Sequence, residues 1–115
     1  MIIEKFEDII AWKKAKSLIV EIYKIMKGCR DYGFRDQIQR AAVSIMNNMA
    51  EGFERRGDKE FKQFLYISKG SCGEVRSMTY LGIDLHYITA EEGKKIDQQA
   101  LEISKMLFGL IKSLH

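Results

Sequence analysis

Apolar residues recur at steps of three and four along most of the chain, which is the spacing of amphipathic helices. The first such segment runs from about Asp8 to Lys27, and we expect Gly28 to end it. Its apolar positions are Ile9, Trp12, Ala15, Ile19, Ile22, Tyr23 and Met26. The pattern therefore predicts a helix with one core-facing stripe.

A second helix is predicted to begin between Asp31 and Asp36 and to run to about Glu54. Its apolar side consists of Phe34, Ile38, Ala41, Ala42, Ile45, Met49 and Phe53. The break "RRGD" follows, with Asp58 as the expected N-cap of a third helix from Lys59 to about Tyr87. The buried stripe of that helix is predicted to be Phe61, Phe64, Leu65, Ser68, Cys72, Val75, Thr79 and Ile83.

Thr89 and Glu92 have the spacing of a capping box, so a fourth helix is predicted to start there and continue to about Ser113. Its apolar side consists of Ile96, Ala100, Ile103, Leu107, Leu110, Ile111 and Leu114. Amphipathic helices joined by short loops bury their stripes most simply in an antiparallel up-down-up-down bundle. We therefore predict an all-α four-helix bundle and a single domain over residues 1–115.

Composition agrees with this fold class. The chain has 115 residues, 46% hydrophobic and 30% charged, and contains no proline, which favours long uninterrupted helices. Acids interleave the apolar residues of the opening segment "MIIEKFEDII", unlike a secretory signal, and no stretch has the roughly 20 apolar residues of a membrane span. We expect a cytoplasmic protein with no membrane-spanning segment, and reduced thiols at Cys29 and Cys72.

The second helix also carries a polar ladder, which we define as Gln37, Arg40, Ser44, Asn47, Asn48 and Glu51. At about 100° per residue these residues, with Arg55, gather beside the apolar stripe. One interpretation is a solvated or intersubunit face with ion pairs such as Glu51 with Arg55. The other is a ligand surface, because amides, hydroxyls and arginines also contact phosphates and base edges.

Small residues are concentrated in the third helix, at Ser68, Gly70, Ser71, Cys72 and Gly73. Glycine within a helix costs about 0.5–1 kcal/mol relative to alanine, so the cluster predicts that another segment comes close. Close packing within the bundle or between subunits is the favoured explanation. The flanking sequence lacks the lysine-serine ending of a phosphate-binding loop.

Residues 1–76 hold 15 basic and 11 acidic residues, so the positive excess lies in the first three helices. The candidate nucleic-acid-binding residues are Lys13, Lys14, Lys16, Arg55, Arg56, Lys59 and Lys62. A net charge of +3 is modest for one chain, but an oligomer would concentrate it. Aromatic side chains at Trp12, Phe53 and Tyr66 would stack on bases only if exposed.

Enzyme chemistry has weak support. Neither His86 nor His115 is near a cysteine in the sequence, and no Glu-x-x-His pair of a di-iron bundle occurs. Two of the carboxylates of Glu51, Glu54, Asp58 and Glu60 could hold Mg²⁺ for nuclease chemistry, although acids at helix ends usually act as caps or ion pairs. We predict a non-enzymatic protein without a cofactor.

Three segments carry a family resemblance: "DIIAWKKAKSLIVEIYKI", "QIQRAAVSIMNNMAEGFERRGDKEFKQFLYISKGSCGEV" and "KMLFGLIKSL". Together they resemble the bacterial intervening-sequence proteins, which are encoded within 23S ribosomal RNA genes. The resemblance implies a four-helix bundle that assembles into a ring-like homo-oligomer, with a pentamer favoured. Accessory variability determinant proteins of diversity-generating retroelements are similar in architecture, and they bind nucleic acid and a reverse transcriptase.

Two functional hypotheses follow. The first is an oligomeric module that binds RNA or another nucleic acid through basic surfaces, with a reverse transcriptase as a further partner by analogy. The second is a structural or protein-interaction scaffold whose polar ladder is an intersubunit seam.

Overall fold

Residues 3–115 are the part of the chain that the structure, a computed structural model, describes; Met1 and Ile2 of the opening segment lie outside it. This part contains four α-helices: α1 (Ile10–Met26), α2 (Tyr32–Phe53), α3 (Gly57–Asp84) and α4 (Ala90–Ser113). A short 3-10 helix, Phe6–Asp8, precedes α1. The predicted start of the first helix at Asp8 is therefore early, because this residue belongs to the 3-10 turn.

Each helix packs against its neighbours in the chain, and α4 closes the arrangement by packing against α1. This is the predicted antiparallel up-down-up-down bundle, and the fold prediction is confirmed. The bundle is 43 Å long, which is the length of the 28-residue α3 at about 1.5 Å per residue. Within residues 3–115, no helix is long and apolar enough to cross a membrane.

The core is built from the apolar stripes. Its largest fully buried hydrophobic side chains are Leu18, Ile22, Met26, Ile38, Ile45, Met49, Leu65, Val75, Ile96, Ile103 and Leu107. One predicted apolar position is wrong, because Tyr23 is 46% exposed. Six others are only half-buried: Trp12, Ile19, Phe53, Phe64, Ile83 and Leu114. These side chains lie at the edges of their stripes, where the angle between neighbouring helices decides how much each one buries.

The ends of α3 differ from the sequence prediction. The helix begins at Gly57, which has a φ of +86°, and its N-cap is Arg56 rather than Asp58. Asp58 instead lies in the first turn, where a negative charge is favourable, and accepts a hydrogen bond from the backbone N–H of His115 at 3.0 Å. The helix ends at Asp84 rather than Tyr87, because the chain turns through His86 with a φ of 63°.

The predicted capping box is confirmed at α4. The backbone N–H of Glu92 donates to Thr89 Oγ1 at 3.0 Å, and the backbone N–H of Thr89 donates to Glu92 Oε1 at 2.9 Å. Both contacts pair backbone donors that a helix start would otherwise leave without a partner.

Asp31 caps α2 and also ties it to the α3–α4 turn. Its carboxylate accepts hydrogen bonds from the backbone N–H of Phe34 at 3.1 Å and from Tyr87 Oη at 2.8 Å. The Phe34 hydrogen bond, followed by that of Tyr87, holds the pKa of Asp31 below its ordinary value of 3.8. The stabilisation that these two hydrogen bonds give the folded chain is therefore fully present above about pH 3.8. It is lost as the pH falls through the lowered pKa of Asp31.

Gly52 of α2 lies against α3 with no space for a side chain. A Cβ atom at Gly52 would lie 2.5 Å from Phe64 Cβ, whereas one at Gly109 would meet no atom from elsewhere in the described chain within 4 Å. We expect Gly52→Ala to lower the free energy of unfolding by about 1–3 kcal/mol through overpacking. The control Gly109→Ala should raise it by roughly 0.5–1 kcal/mol. Urea denaturation measures both, and equal effects would contradict the packing described.

The cysteines should differ in reactivity. Cys72 is fully buried, and burial raises the pKa of its thiol to about 12, whereas Cys29 is half-buried. Because the thiolate is the nucleophile, iodoacetamide at pH 8 should alkylate Cys29 and spare Cys72 until urea unfolds the bundle. Peptide mass spectrometry reads out both sites, and equal alkylation of the native protein would show that Cys72 is not enclosed.

Candidate nucleic-acid and subunit interface

The polar ladder divides into an inner and an outer part. In the inner part, Ser44 Oγ lies 2.9 Å from Ser71 Oγ of α3. Asn48 Nδ2 donates to both the backbone oxygen and the Oγ of Ser44, each at 2.9 Å. Ser44 therefore joins α2 to α3 within the chain, and Asn48 is held against Ser44 on α2.

The small residues of α3 explain how closely these helices approach. Ser68, Ser71 and Cys72 are buried, and Ser68 Oγ donates to the backbone oxygen of Ile45 at 2.9 Å. Packing within the bundle thus accounts for these members of the cluster. It does not account for Gly70 and Gly73, where an added Cβ would meet no atom from elsewhere in the described chain within 4 Å.

The outer part of the ladder consists of Gln37, Arg40, Asn47 and Glu51, all of which are exposed. Gln37, Arg40 and Ser44 line an open groove with Glu74 of α3. The predicted ion pair between Glu51 and Arg55 is present, with an N–O distance of 2.9 Å. The neighbouring surface of α3 includes Ile67, which is 50% exposed. We name this mixed polar and apolar surface the α2–α3 face.

A second exposed surface lies between α1 and α2, and we name it the α1–α2 groove. Ile19, Val20 and Tyr23 of α1 and Val43 of α2 give it an almost entirely apolar lining, with Lys24 and Lys27 also bordering it. An exposed apolar groove rimmed by charge is typical of surfaces that contact another macromolecule.

The bundle topology brings the sequence-predicted basic residues to one end. The start of α1 and the α2–α3 turn share this end because the helices alternate in direction. Three of these residues interact with nearby side chains: Lys14 pairs with Glu102 at 2.8 Å, Arg55 pairs with Glu51, and Lys16 Nζ lies 5.7 Å from the centre of the Trp12 ring.

The other sequence-predicted basic residues are more available to pair with a ligand. Within residues 3–115, no ion pair involves the basic residues Lys13, Arg56, Lys59 and Lys62. Glu54, Asp58 and Glu60 occupy the same turn as three of them, so the local charge of the turn is close to balanced. A phosphate backbone would therefore be bound there by individual side chains and not attracted by a broad positive potential.

Sequence reasoning missed a basic and aromatic surface on α3 and α4. The ammonium groups of Lys69 and Lys112 lie 5.9 and 5.5 Å from the centre of the Phe108 ring. The sequence carries one signal for this surface, because Lys105, Phe108 and Lys112 have the spacing that places them on one side of a helix. Lys69 gives no such signal, because it reaches this surface only through the tertiary fold.

Of the aromatics considered for base stacking, Tyr66 is exposed. Trp12 and Phe53 are half-buried and stack edge-on against Phe6 and Phe61, with ring centres 5.3 and 5.8 Å apart. Their rings are thus engaged within the chain.

The carboxylates Glu51, Glu54, Asp58 and Glu60 lie in or beside the α2–α3 turn. In the part of the chain that the structure describes, no group of three Cys, His, Asp or Glu side chains is arranged to hold a metal ion.

The comparisons with known proteins agree with this geometry. A crystal structure at 1.70 Å resolution of a protein with unknown function from the S23 ribosomal protein family of Bacteroides thetaiotaomicron is similar to this chain, with a TM-score of 0.83 and 27% identity. The similarity covers 90% of this chain and 99% of that one. Among curated proteins, none matches the chain.

The sequence profile described as "23S rRNA-intervening sequence protein" matches residues 7–109, a span that includes all of α1, α2 and α3 and most of α4. The family resemblance in the central segment is therefore confirmed. The chain belongs to the 23S rRNA-intervening sequence protein family.

Proposed function

We propose that this protein is a non-enzymatic, ring-like homo-oligomer that binds RNA or another nucleic acid through basic surfaces. The observation that carries the proposal is the gathering of Lys13, Arg56, Lys59 and Lys62 at one end of the bundle without ion-pair partners in the described chain. Such side chains are available to pair with phosphates and to release their counterions.

Oligomerisation strengthens the electrostatic argument. One chain has a net charge of +3, which is small for a nucleic-acid-binding protein. A ring of five would bring about fifteen positive charges around one axis, and each subunit would contribute the same end. The assembly can thus bind a phosphate backbone that a single chain would hold weakly.

Two different exposed surfaces support a ring. Cyclic assemblies with more than two subunits use heterologous contacts, in which one surface meets a different surface of the next copy. The α2–α3 face and the α1–α2 groove lie on adjacent sides of the bundle, about 90° apart in an idealised square arrangement. A closed ring requires about 90° between its contact surfaces for four subunits and about 108° for five.

The scaffold alternative is supported by the composition of the α2–α3 face. Ile67 is half-exposed beside the outer part of the ladder, and Gly70, one turn further along α3, leaves open space. Small and apolar residues beside hydrogen-bonding groups suit a protein interface. If the ring binds no nucleic acid, this face supports a structural assembly alone.

Removing charge at the basic end should weaken RNA binding. We expect Arg56→Gln with Lys59→Gln to lower affinity for a structured RNA about tenfold at low salt, because two phosphate contacts are lost. Filter binding at two salt concentrations measures the affinity and its salt dependence.

The control is Arg30→Gln with Lys94→Gln, which removes the same charge from exposed positions at the other end of the bundle. Equal losses in both double variants would contradict a contact at the basic end. Absence of saturable binding by the wild-type protein would remove nucleic-acid binding and leave the scaffold.

The α2–α3 face should be required for assembly. We expect Ile67→Asp to dissociate the oligomer, because a carboxylate would lose its hydration in the interface. Light scattering gives the mass, and circular dichroism checks that the bundle stays folded. Ile10→Asp is the control, because Ile10 is 61% exposed at the start of α1. An unchanged mass for Ile67→Asp would place the interface elsewhere.

A further inference from the structure

We propose that the surface of α3 and α4 around Phe108 binds single-stranded RNA, with an unstacked base on the ring and the flanking phosphates on Lys69 and Lys112. This inference rests on the proposed nucleic-acid binding and assigns it a place and a substrate class. Phe108, Lys69 and Lys112, on which it is tested, are different residues from Arg56 and Lys59, so the two proposals can fail separately.

The first support is an aromatic ring exposed among cations. Phe108 is 45% exposed, and ammonium groups from two helices lie within 6 Å of its centre. Cation–π contacts at an exposed site are weak, so a base can take their place on the ring. The displaced ammonium groups would then be free to pair with the phosphates on either side of that base.

The second support is the alignment of other side chains with Phe108. Arg76 Nε donates to Asp97 Oδ1 at 2.7 Å, which sets the register of antiparallel α3 and α4. Tyr66 lies ten residues before Arg76 and Phe108 lies eleven after Asp97, so the two aromatics are at nearly the same height. Tyr66 is 54% exposed and offers a second ring on this surface.

The third support is the charge of the surface. Lys62 and Lys69 of α3 are seven residues apart, as are Lys105 and Lys112 of α4, so each pair lies on one side of its helix. The nearby acids of α4 have partners elsewhere: Asp97 accepts from Arg76 and Tyr80, and Glu102 pairs with Lys14. Within residues 3–115 these four lysines form no ion pair.

These features favour single strands over duplexes. An aromatic ring stacks only on a base whose face is open, and a duplex hides those faces within its own stack. A basic surface without an aromatic would bind both forms through their phosphates. The combination of ring and lysines thus predicts a preference for unpaired segments.

Fluorescence anisotropy with a labelled oligouridylate of about twelve nucleotides, and with a duplex RNA of the same length, tests the inference on the full-length protein. We expect Phe108→Leu to weaken binding of the single strand about tenfold and to change duplex binding much less. Lys69→Gln with Lys112→Gln should reduce the slope of log affinity against log salt by about 1.4 units, since each phosphate contact on a single strand contributes about 0.7. Leucine keeps the apolar bulk of this exposed position, and circular dichroism verifies the fold.

A matched control exists at the other end of the bundle. Arg35 lies 4.7 Å from the centre of the exposed Tyr32 ring, but its guanidinium also pairs with Asp36. Tyr32→Leu removes an aromatic with the same kind of cation contact and should leave single-strand binding unchanged.

The results for these variants distinguish a failure of this inference from a failure of the proposed function. Wild-type binding that Phe108→Leu and the double lysine variant leave intact would overturn this inference while the proposed function stands. An equal loss in Tyr32→Leu would likewise overturn it, since the ring at Phe108 would then have no special role. A wild-type protein that binds neither probe would contradict both proposals.

Discussion

The close approach of α2 to α3 is the constraint on which the rest of the structure depends. It requires glycine at position 52, where a Cβ would collide with Phe64, and small hydroxyl side chains at the contact. The Ser44–Ser71 and Ser68–Ile45 hydrogen bonds then pair polar groups that the approach buries. Because these contacts engage the inner part of the polar ladder, its outer part remains exposed beside the surface of α3.

The sequence was sufficient to predict the helices, the capping box at Thr89 and most of the core, because each depends on local spacing. Asp58 was assigned wrongly as a cap because α3 starts two residues earlier than predicted, at Gly57, whose positive φ a side chain would disfavour. The division of the ladder was not predictable from periodicity, which places Ser44 and Asn47 on one side but does not locate α3. The surface around Phe108 was missed because Lys69 and Phe108 are 39 residues apart and meet only through the register of α3 and α4.

The surfaces of this bundle differ more in how their charges are paired than in how many charges they carry. The basic end shares its turn with acids, and two of its cations are neutralised within the chain. Along α3 and α4, by contrast, the neighbouring acids are held by Arg76, Tyr80 and Lys14, so the lysines around Phe108 remain without ion-pair partners in the described residues. A small bundle with a modest net charge can in this way present a local cationic surface.

The central claim is that one side of α2 completes its own bundle while the other contacts a second copy, and that the resulting ring binds RNA. Native mass spectrometry of the wild-type protein over a dilution series, with and without single-stranded RNA, tests it most directly. The account predicts one closed assembly of about four or five subunits that gains RNA mass without changing its subunit number. A monomer at all concentrations, with or without RNA, would contradict it.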